Sequence, residues 1–179
     1  MRRGPEQAFD EYLVLLAQSG SQQALARLVA RWSPRLMAFA ARTLGSAEAA
    51  KDVVQDVWEG AVRGLKRLDD PAQFRAWLYA IAQRRCVDAL RGKYRGRIAE
   101  GDASEPAIDP RGDVDAGLDL NAALKRLPAD QRVAVSLFFG EDMSVAEIAR
   151  ATGVAPGTVK SRLFAARQAL RAALEGEKS

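Results

Sequence analysis

Apolar residues along this chain recur every three to four positions in one segment after another, which predicts a string of amphipathic helices. Phe9, Leu13 and Leu16 share one side of a short helix from Glu6 to Gln18, broken by Ser19, Gly20 and Ser21. Leu25, Leu28 and Trp32, then Leu36, Phe39 and Ala40, continue the pattern, with Ser33-Pro34 expected to kink this run or divide it in two. Gly45 ends the run and Ser46 caps the next helix, Ala47 to Leu65, whose inward face is Ala50, Val53, Val54, Val57, Ala61 and Leu65. Leu68 to Pro71 reads as a loop. Pro71 opens a further helix to about Arg91, with Phe74, Trp77, Leu78, Ile81 and Leu90 as core contacts. Periodicity disappears from Gly92 to Gly117, a stretch rich in Gly, Pro, Asp and Ala that reads as a flexible linker. It resumes at Leu120, Leu124 and Leu127, and a helix from Ala129 to Phe139 turns Val133, Leu137 and Phe138 inward.

The most specific stretch runs from Ser144 to Leu174. Ser144 followed by Glu147 is a capping box, in which the hydroxyl accepts from the third helical N–H and the carboxylate reaches back to the cap. Ile148 and Ala149 face inward, Thr152 closes the short helix, Gly153 supplies a left-handed turn, and Val154 plugs the corner. Pro156 suits the first position of a second helix. The result is a helix-turn-helix. At 100° per residue, Val159, Leu163, Ala166 and Leu170 form the packing stripe of the second helix, while Thr158, Lys160, Ser161, Phe164, Ala165 and Gln168 face away. Pro156 and Gly157 leave the first turn open to a phosphate, and Arg162, Arg167 and Arg171 flank the stripe. That face suits a DNA major groove, with Phe164 a candidate for thymine methyls.

The fold class is therefore all-α: two small helical domains joined by a flexible linker, divided as residues 1–95, 96–118 and 119–179, the last carrying the helix-turn-helix. Net charge is +4, with basic ends and an acidic middle, in keeping with a nucleic-acid partner. One cysteine, Cys86, excludes an internal disulfide, and the absence of histidine removes the usual zinc sites and His-based catalysis, so no metal and no cofactor are expected. No apolar run is long enough to span a membrane, and the start, MRRGPEQAFDEY, lacks a signal peptide's apolar region, so a cytoplasmic location without membrane insertion is expected.

Two surfaces of the N-terminal lobe carry chemistry. Asp52, Gln55, Asp56 and Glu59 repeat at i, i+3, i+4 and i+7, an acidic stripe that repels a DNA backbone and suits a basic protein surface; solvated partners of Lys51, Arg63 and Lys66 are the plainer alternative. Along the next helix Arg75, Arg84, Arg85, Arg91, Lys93, Arg95 and Arg97 interleave with Trp77, Tyr79 and Tyr94. Cations that follow a backbone, together with rings that stack on bases, suit single-stranded nucleic acid, although Trp77 and Tyr79 also fit a core.

With AAKDVVQDVWEGA, FRAWLYAIAQRRCVDALR and LPADQRVAVSLFFGEDMSVAEIARATGVAPGTVKSRLFAARQALRAAL in this order, the chain resembles a bacterial sigma factor of the extracytoplasmic-function (ECF) type, sigma-70 superfamily, over nearly its full length. The resemblance implies a non-enzymatic initiation factor that binds core RNA polymerase at the β′ clamp and β flap, recognises promoter DNA, and answers to an anti-sigma factor. Clamp docking falls on Asp52, Gln55 and Asp56, extended to Glu59 by the stripe. Recognition and melting of the −10 element fall on the Asp69, Asp70 and Phe74 loop and on Trp77, Arg84 and Arg85. Recognition of −35 falls on Pro156, Gly157, Thr158, Lys160, Ser161, Arg162, Phe164 and Arg167. Two departures bear on promoter preference: Arg84 where many members have asparagine, and Ala165 where many have arginine after the aromatic. A stand-alone helix-turn-helix regulator, a sigma mimic that titrates an inhibitor, and a recombinase are the competing readings. The acidic stripe, the basic recognition helix and the wholly helical N-terminal pattern respectively weigh against them.

Overall fold

The computed structural model describes the backbone of residues 4–99 and 120–176, with the side chains of 4–92, 120 and 122–173. All regular structure among them is helical: α1 (Pro5–Gln18), α2 (Gln22–Leu44), α3 (Ala47–Gly64), α4 (Phe74–Ala99), α5 (Leu120–Arg126), α6 (Ala129–Val135), α7 (Val145–Thr152) and α8 (Pro156–Gly176). Two 3-10 turns, Leu65–Arg67 and Pro71–Gln73, connect α3 to α4, and a π-turn, Ser136–Gly140, follows α6.

Local signals place most boundaries. Gly45 adopts φ +65° and returns its N–H to Ala41 O at 2.8 Å, while the Ser46 hydroxyl accepts from Ala49 N. The Ser144–Glu147 capping box is present in both directions, and Gly153 turns the chain at φ +70°. Two expectations fail, and of the two alternatives at Pro34 division is excluded, for identifiable reasons. Pro34 does not divide α2: its missing N–H costs roughly 3 kcal/mol, but Leu28, Trp32, Leu36 and Phe39 on either side are all buried, at roughly 1.5–3 kcal/mol each for the aliphatic and phenyl groups. Phe9 is not on the packed side of α1; Leu13 and Val14 are, and Phe9 instead lies beneath the Arg31 guanidinium at 5.2 Å, beside an Arg31–Asp10 ion pair. Finally, α4 continues to Ala99, past the 1–95 boundary and into the stretch read as linker, because a helix once nucleated propagates without an apolar stripe. The rest of the expected linker, residues 100–118, lies outside the described residues.

The two lobes pack directly on each other. α4 and α2 of the N-terminal lobe meet α5, α6, the π-turn and α7. A continuous apolar core runs from Leu28, Phe39 and Leu78 into Leu137, Met143 and Ile148, and a smaller cluster of Leu124, Leu127, Val135 and Ala166 holds α5, α6 and α8 together. The polar counterpart is Arg132, buried in α6. It donates from Nη1 to Thr43 O at 2.9 Å and from Nη2 to Leu127 O at 3.0 Å and Lys125 O, so one guanidinium ties the end of α2 to the end of α5. Burial lowers its pKa from the ordinary value.

Burial raises the Glu147 carboxyl, but the Ser144 hydroxyl and N–H, with Arg75 and Arg150 nearby, outweigh it and hold its pKa below the ordinary value. A depressed folded pKa contributes stability in full above the unfolded value, about 4.3, and the contribution is lost as pH falls through the folded value. Ser144→Ala is expected to cost about 1 kcal/mol near neutral pH and to flatten that acid limb. Urea denaturation between pH 7 and pH 3 checks both; an unchanged acid limb in the variant refutes the assignment.

Candidate protein-docking and nucleic-acid interfaces

α3 presents its buried face, Ala50, Val53, Val54, Val57 and Ala61, to the core. This rotation leaves Asp52, Gln55, Asp56 and Glu59 all exposed on the outer side. Lys51 is paired with Glu48 at 3.1 Å, and neither Asp52 nor Asp56 has a partner among the described residues. Gln55 bonds to Glu59 within the stripe at 3.4 Å, and among the described residues the stripe is not half of a salt-bridge network. Beside it lies a groove of about 680 Å³ lined by Val29, Gln55, Trp58, Glu59, Val62 and Arg63. Trp58 is fixed in its wall by an indole N–H bond to Ser33 Oγ at 3.0 Å. An apolar floor with an acidic edge fits an amphipathic helix that carries basic residues.

The loop between α3 and α4 is held from both ends. Asp70 accepts from Ala72 N at 2.9 Å and so starts the turn at Pro71. The Gln18 amide, from the last turn of α1, donates to Leu65 O at 2.9 Å and Leu68 O at 2.7 Å. Asp69 and Asp70 are exposed, whereas Phe74 is buried and stacks edge-on to Trp32 at 5.8 Å. In this structure Phe74 anchors the loop instead of offering a surface. Trp77 is half-buried against Phe74 and Gly64. Tyr79 is fully buried, so it is a core residue and has no free face for a base. Arg84 is exposed and Arg85 half-buried; the side chain of Tyr94 lies outside the described residues.

On α8, Val159 and Ala166 are buried and Pro156, Gly157, Thr158, Lys160, Ser161, Phe164 and Arg167 are exposed. Phe164 remains 64% exposed. The Ser161 hydroxyl donates back to Gly157 O at 3.0 Å, which leaves its lone pairs outward. Arg162 departs from this group: it pairs with Asp130 of α6 at 2.7 Å and lines a cleft of about 400 Å³ together with Arg84, Asp88 and Arg91 of α4. Residues of the two expected DNA surfaces thus meet in one cleft between the lobes.

Glu141, Arg42 and Gln18 carry no signal in the sequence pattern, because their contacts join positions far apart in the chain. Just after the π-turn, the buried Glu141 accepts from Arg42 Nη2 through Oε1 and from Tyr79 OH through Oε2, both at 2.5 Å, and its backbone carbonyl accepts from Arg75. Burial, then the bond to Glu141, pushes the Tyr79 phenol above its ordinary range, so it stays protonated as the donor. Among the described residues no cluster could hold a metal ion, and no helix is long and apolar enough to cross a membrane. Cys86 is buried, its thiol pushed up to about 12 by burial, which suppresses the thiolate.

The sigma-70 region 2 family matches residues 28–96 and the sigma-70 region 4 family residues 118–170. The ECF RNA polymerase sigma factor SigM of Mycobacterium tuberculosis is 33% identical over 167 residues, covering 93% of this chain and 85% of SigM. Among solved structures, CnrH in complex with the cytosolic domain of CnrY aligns with TM-score 0.71 and 30% identity over 94% of this chain and 98% of that one. The sigma factor RpoE of Bartonella quintana, in complex with the anti-sigma factor NepR, aligns with TM-score 0.69 and 27% identity over 84% and 96%. The exposed acidic stripe on α3 thus falls within the region 2 match and the helix-turn-helix within region 4, and the chain belongs to the ECF family of RNA polymerase sigma factors.

Proposed function

We propose that the chain binds core RNA polymerase and directs promoter-specific initiation in the cytoplasm, leaving catalysis to the polymerase. The observation that carries this reading is the exposed stripe of Asp52, Gln55, Asp56 and Glu59 beside the Trp58 groove, in which neither aspartate has a partner among the described residues. It docks the β′ clamp, and the C-terminal lobe docks the β flap. The Asp69–Phe74 loop with Trp77, Arg84 and Arg85 serves the −10 element, with Phe74 acting as anchor. The face of Pro156, Gly157, Thr158, Lys160, Ser161, Phe164 and Arg167 serves −35, joined by Arg162 once it leaves Asp130. Residues 1–95 and 119–179 are the working domains, with the end of α4 extending the first. The two solved neighbours, bound to CnrY and NepR, support control by an anti-sigma factor. Reconstitution with core polymerase, followed by a search for specific run-off transcripts across a genomic template, tests the whole reading; wild-type protein that yields none overturns it.

Reversing one charge in the stripe is expected to break docking without unfolding the lobe. Asp56→Arg should lose affinity for core polymerase by about 2–5 kcal/mol if the pair it makes is buried in the complex, with helicity by circular dichroism unchanged. Normal polymerase binding by the folded variant contradicts the assignment.

Promoter contacts are expected to divide between the lobes. Lys160→Ala should weaken binding to duplex −35 DNA and, if the ammonium touches a phosphate, lower the salt slope by about one unit. Arg84→Ala should leave that binding intact and impair strand opening, read as permanganate reactivity of −10 thymines. The division is wrong if Arg84→Ala abolishes closed-complex formation while Lys160→Ala changes neither affinity nor slope.

A further inference from the structure

The turn that carries Glu141 is built to enter the N-terminal lobe. Gly140 passes so close to Arg42 that an added Cβ would run into the guanidinium, and Asp142 adopts φ +51°, a left-handed conformation uncommon outside glycine. Between them, Glu141 presents a carboxylate to Arg42 and Tyr79 and a carbonyl to Arg75. Arg35 is near enough to act electrostatically on Tyr79, and Glu147 approaches Arg75 at 3.8 Å. Seen from the N-terminal lobe, α2 and α4 form an anion pocket, and a carboxylate from the other lobe is its ligand.

That ligand leaves the pocket incompletely used. Arg42 Nε and Arg75 Nε are buried donors without a hydrogen-bond partner. A carboxylate has two oxygens in one plane, already taken by Arg42 and Tyr79, whereas a phosphodiester has two non-bridging oxygens that share its single charge and two bridging ones in a tetrahedral arrangement, and arginine forks favour it. The pocket also sits where a strand would run: Arg75 lies in the first turn of α4, directly after the Asp69–Phe74 loop. We propose that Arg42, Arg75 and Tyr79 form a binding site for a backbone phosphodiester of the opened promoter strand, and that Glu141 occupies it in the closed protein as an internal competitor. This rests on the assignment of that loop to the −10 element.

The test uses the full chain and a fluorescein-labelled single-stranded oligonucleotide of the −10 sequence, followed by anisotropy over a series of salt concentrations. Glu141→Ala, and Glu141→Lys as a variant that sets a cation against both arginines, are compared with wild type, with separation of the lobes read by small-angle scattering. Glu141→Ala is expected to part the lobes and bind the oligonucleotide at least tenfold more tightly. The salt slope should steepen by about 0.7 for each phosphate engaged. Adding Arg42→Ala or Arg75→Ala to Glu141→Ala should remove the gain. A gain that survives loss of both arginines shows that another uncovered surface is responsible. Parted lobes with no gain, or lobes that stay together in both Glu141 variants, overturn the proposal. So does displacement by inorganic phosphate beyond the effect of chloride at equal ionic strength, which assigns the pocket to free phosphate. Failure of wild-type holoenzyme to make promoter-specific transcripts is read separately and removes the sigma reading while leaving the anion pocket standing.

Discussion

A carboxylate buried between two helices that lie far apart in sequence imposes a condition on everything around it. Removing the Glu141 charge from water costs several kcal/mol unless strong donors replace the lost solvation. Arg42 from α2 and Tyr79 from α4 do so at 2.5 Å. Both bonds need the C-terminal lobe in one position, because a displacement of an ångström or two leaves the charge buried and unpaired. Arg132 imposes the same condition in reverse, with a cation of the C-terminal lobe bonded to the Thr43 carbonyl in the last turn of α2. Two buried charges of opposite sign, Glu141 held by side chains of the N-terminal lobe and Arg132 bonded to Thr43 O as well as to carbonyls of its own lobe, favour a fully docked or a fully released arrangement over a loosely sliding one. The apolar continuity through Leu137, Met143 and Ile148 acts in the same direction, since partial separation wets those residues without freeing them.

Much of this architecture is legible in the sequence because it is locally encoded. A serine cap followed by a helix-former three residues on, a glycine after the last apolar position and a proline at a first turn act over four or five residues, and each of Ser46, Gly45, Ser144, Gly153 and Pro156 behaves as its type requires. The same periodicity that buries Val53, Val54 and Val57 leaves Asp52, Gln55 and Asp56 outside, so the candidate docking face follows from helix geometry alone. The outward face of α8 follows in the same way.

What the sequence conceals is set by distant partners. Nothing local marks Glu141 as a buried ligand, and two other carboxylates of the same lobe, Asp130 and Glu147, remain at least partly exposed. Tyr79 among arginines reads as a stacking platform until α2 and the Glu141 turn enclose it. Phe74 reads as part of a recognition loop until Trp32, some forty positions earlier, supplies the wall it packs on. Pro34 illustrates the converse, a strong local breaker overridden by the burial of four large side chains on the same helix. In each case the deciding term is a tertiary contact whose partner the pattern cannot name.

The closed arrangement also constrains how the two DNA-facing surfaces can work. Arg84 and Arg162 line one cleft, so in this conformation their surfaces are neighbours and Arg162 is neutralised by Asp130. Elements about 25 base pairs apart lie roughly 85 Å apart along a duplex at 3.4 Å per base pair. On the proposed reading, in which each lobe reads one element, the docked lobes hold the two surfaces side by side. Residues 100–119 have a contour of at most roughly 70 Å, so on that reading simultaneous recognition requires the lobes to separate. Separation withdraws Glu141 and Glu147 of the C-terminal lobe from Arg42 and Arg75 of the N-terminal lobe, while the Asp130–Arg162 pair, which lies wholly within the C-terminal lobe, is left in place. On the proposed reading, the Glu141 carboxylate that holds the closed protein together and a phosphate of the opened strand compete for Arg42 and Arg75, so occupancy of that pocket by DNA opposes closure.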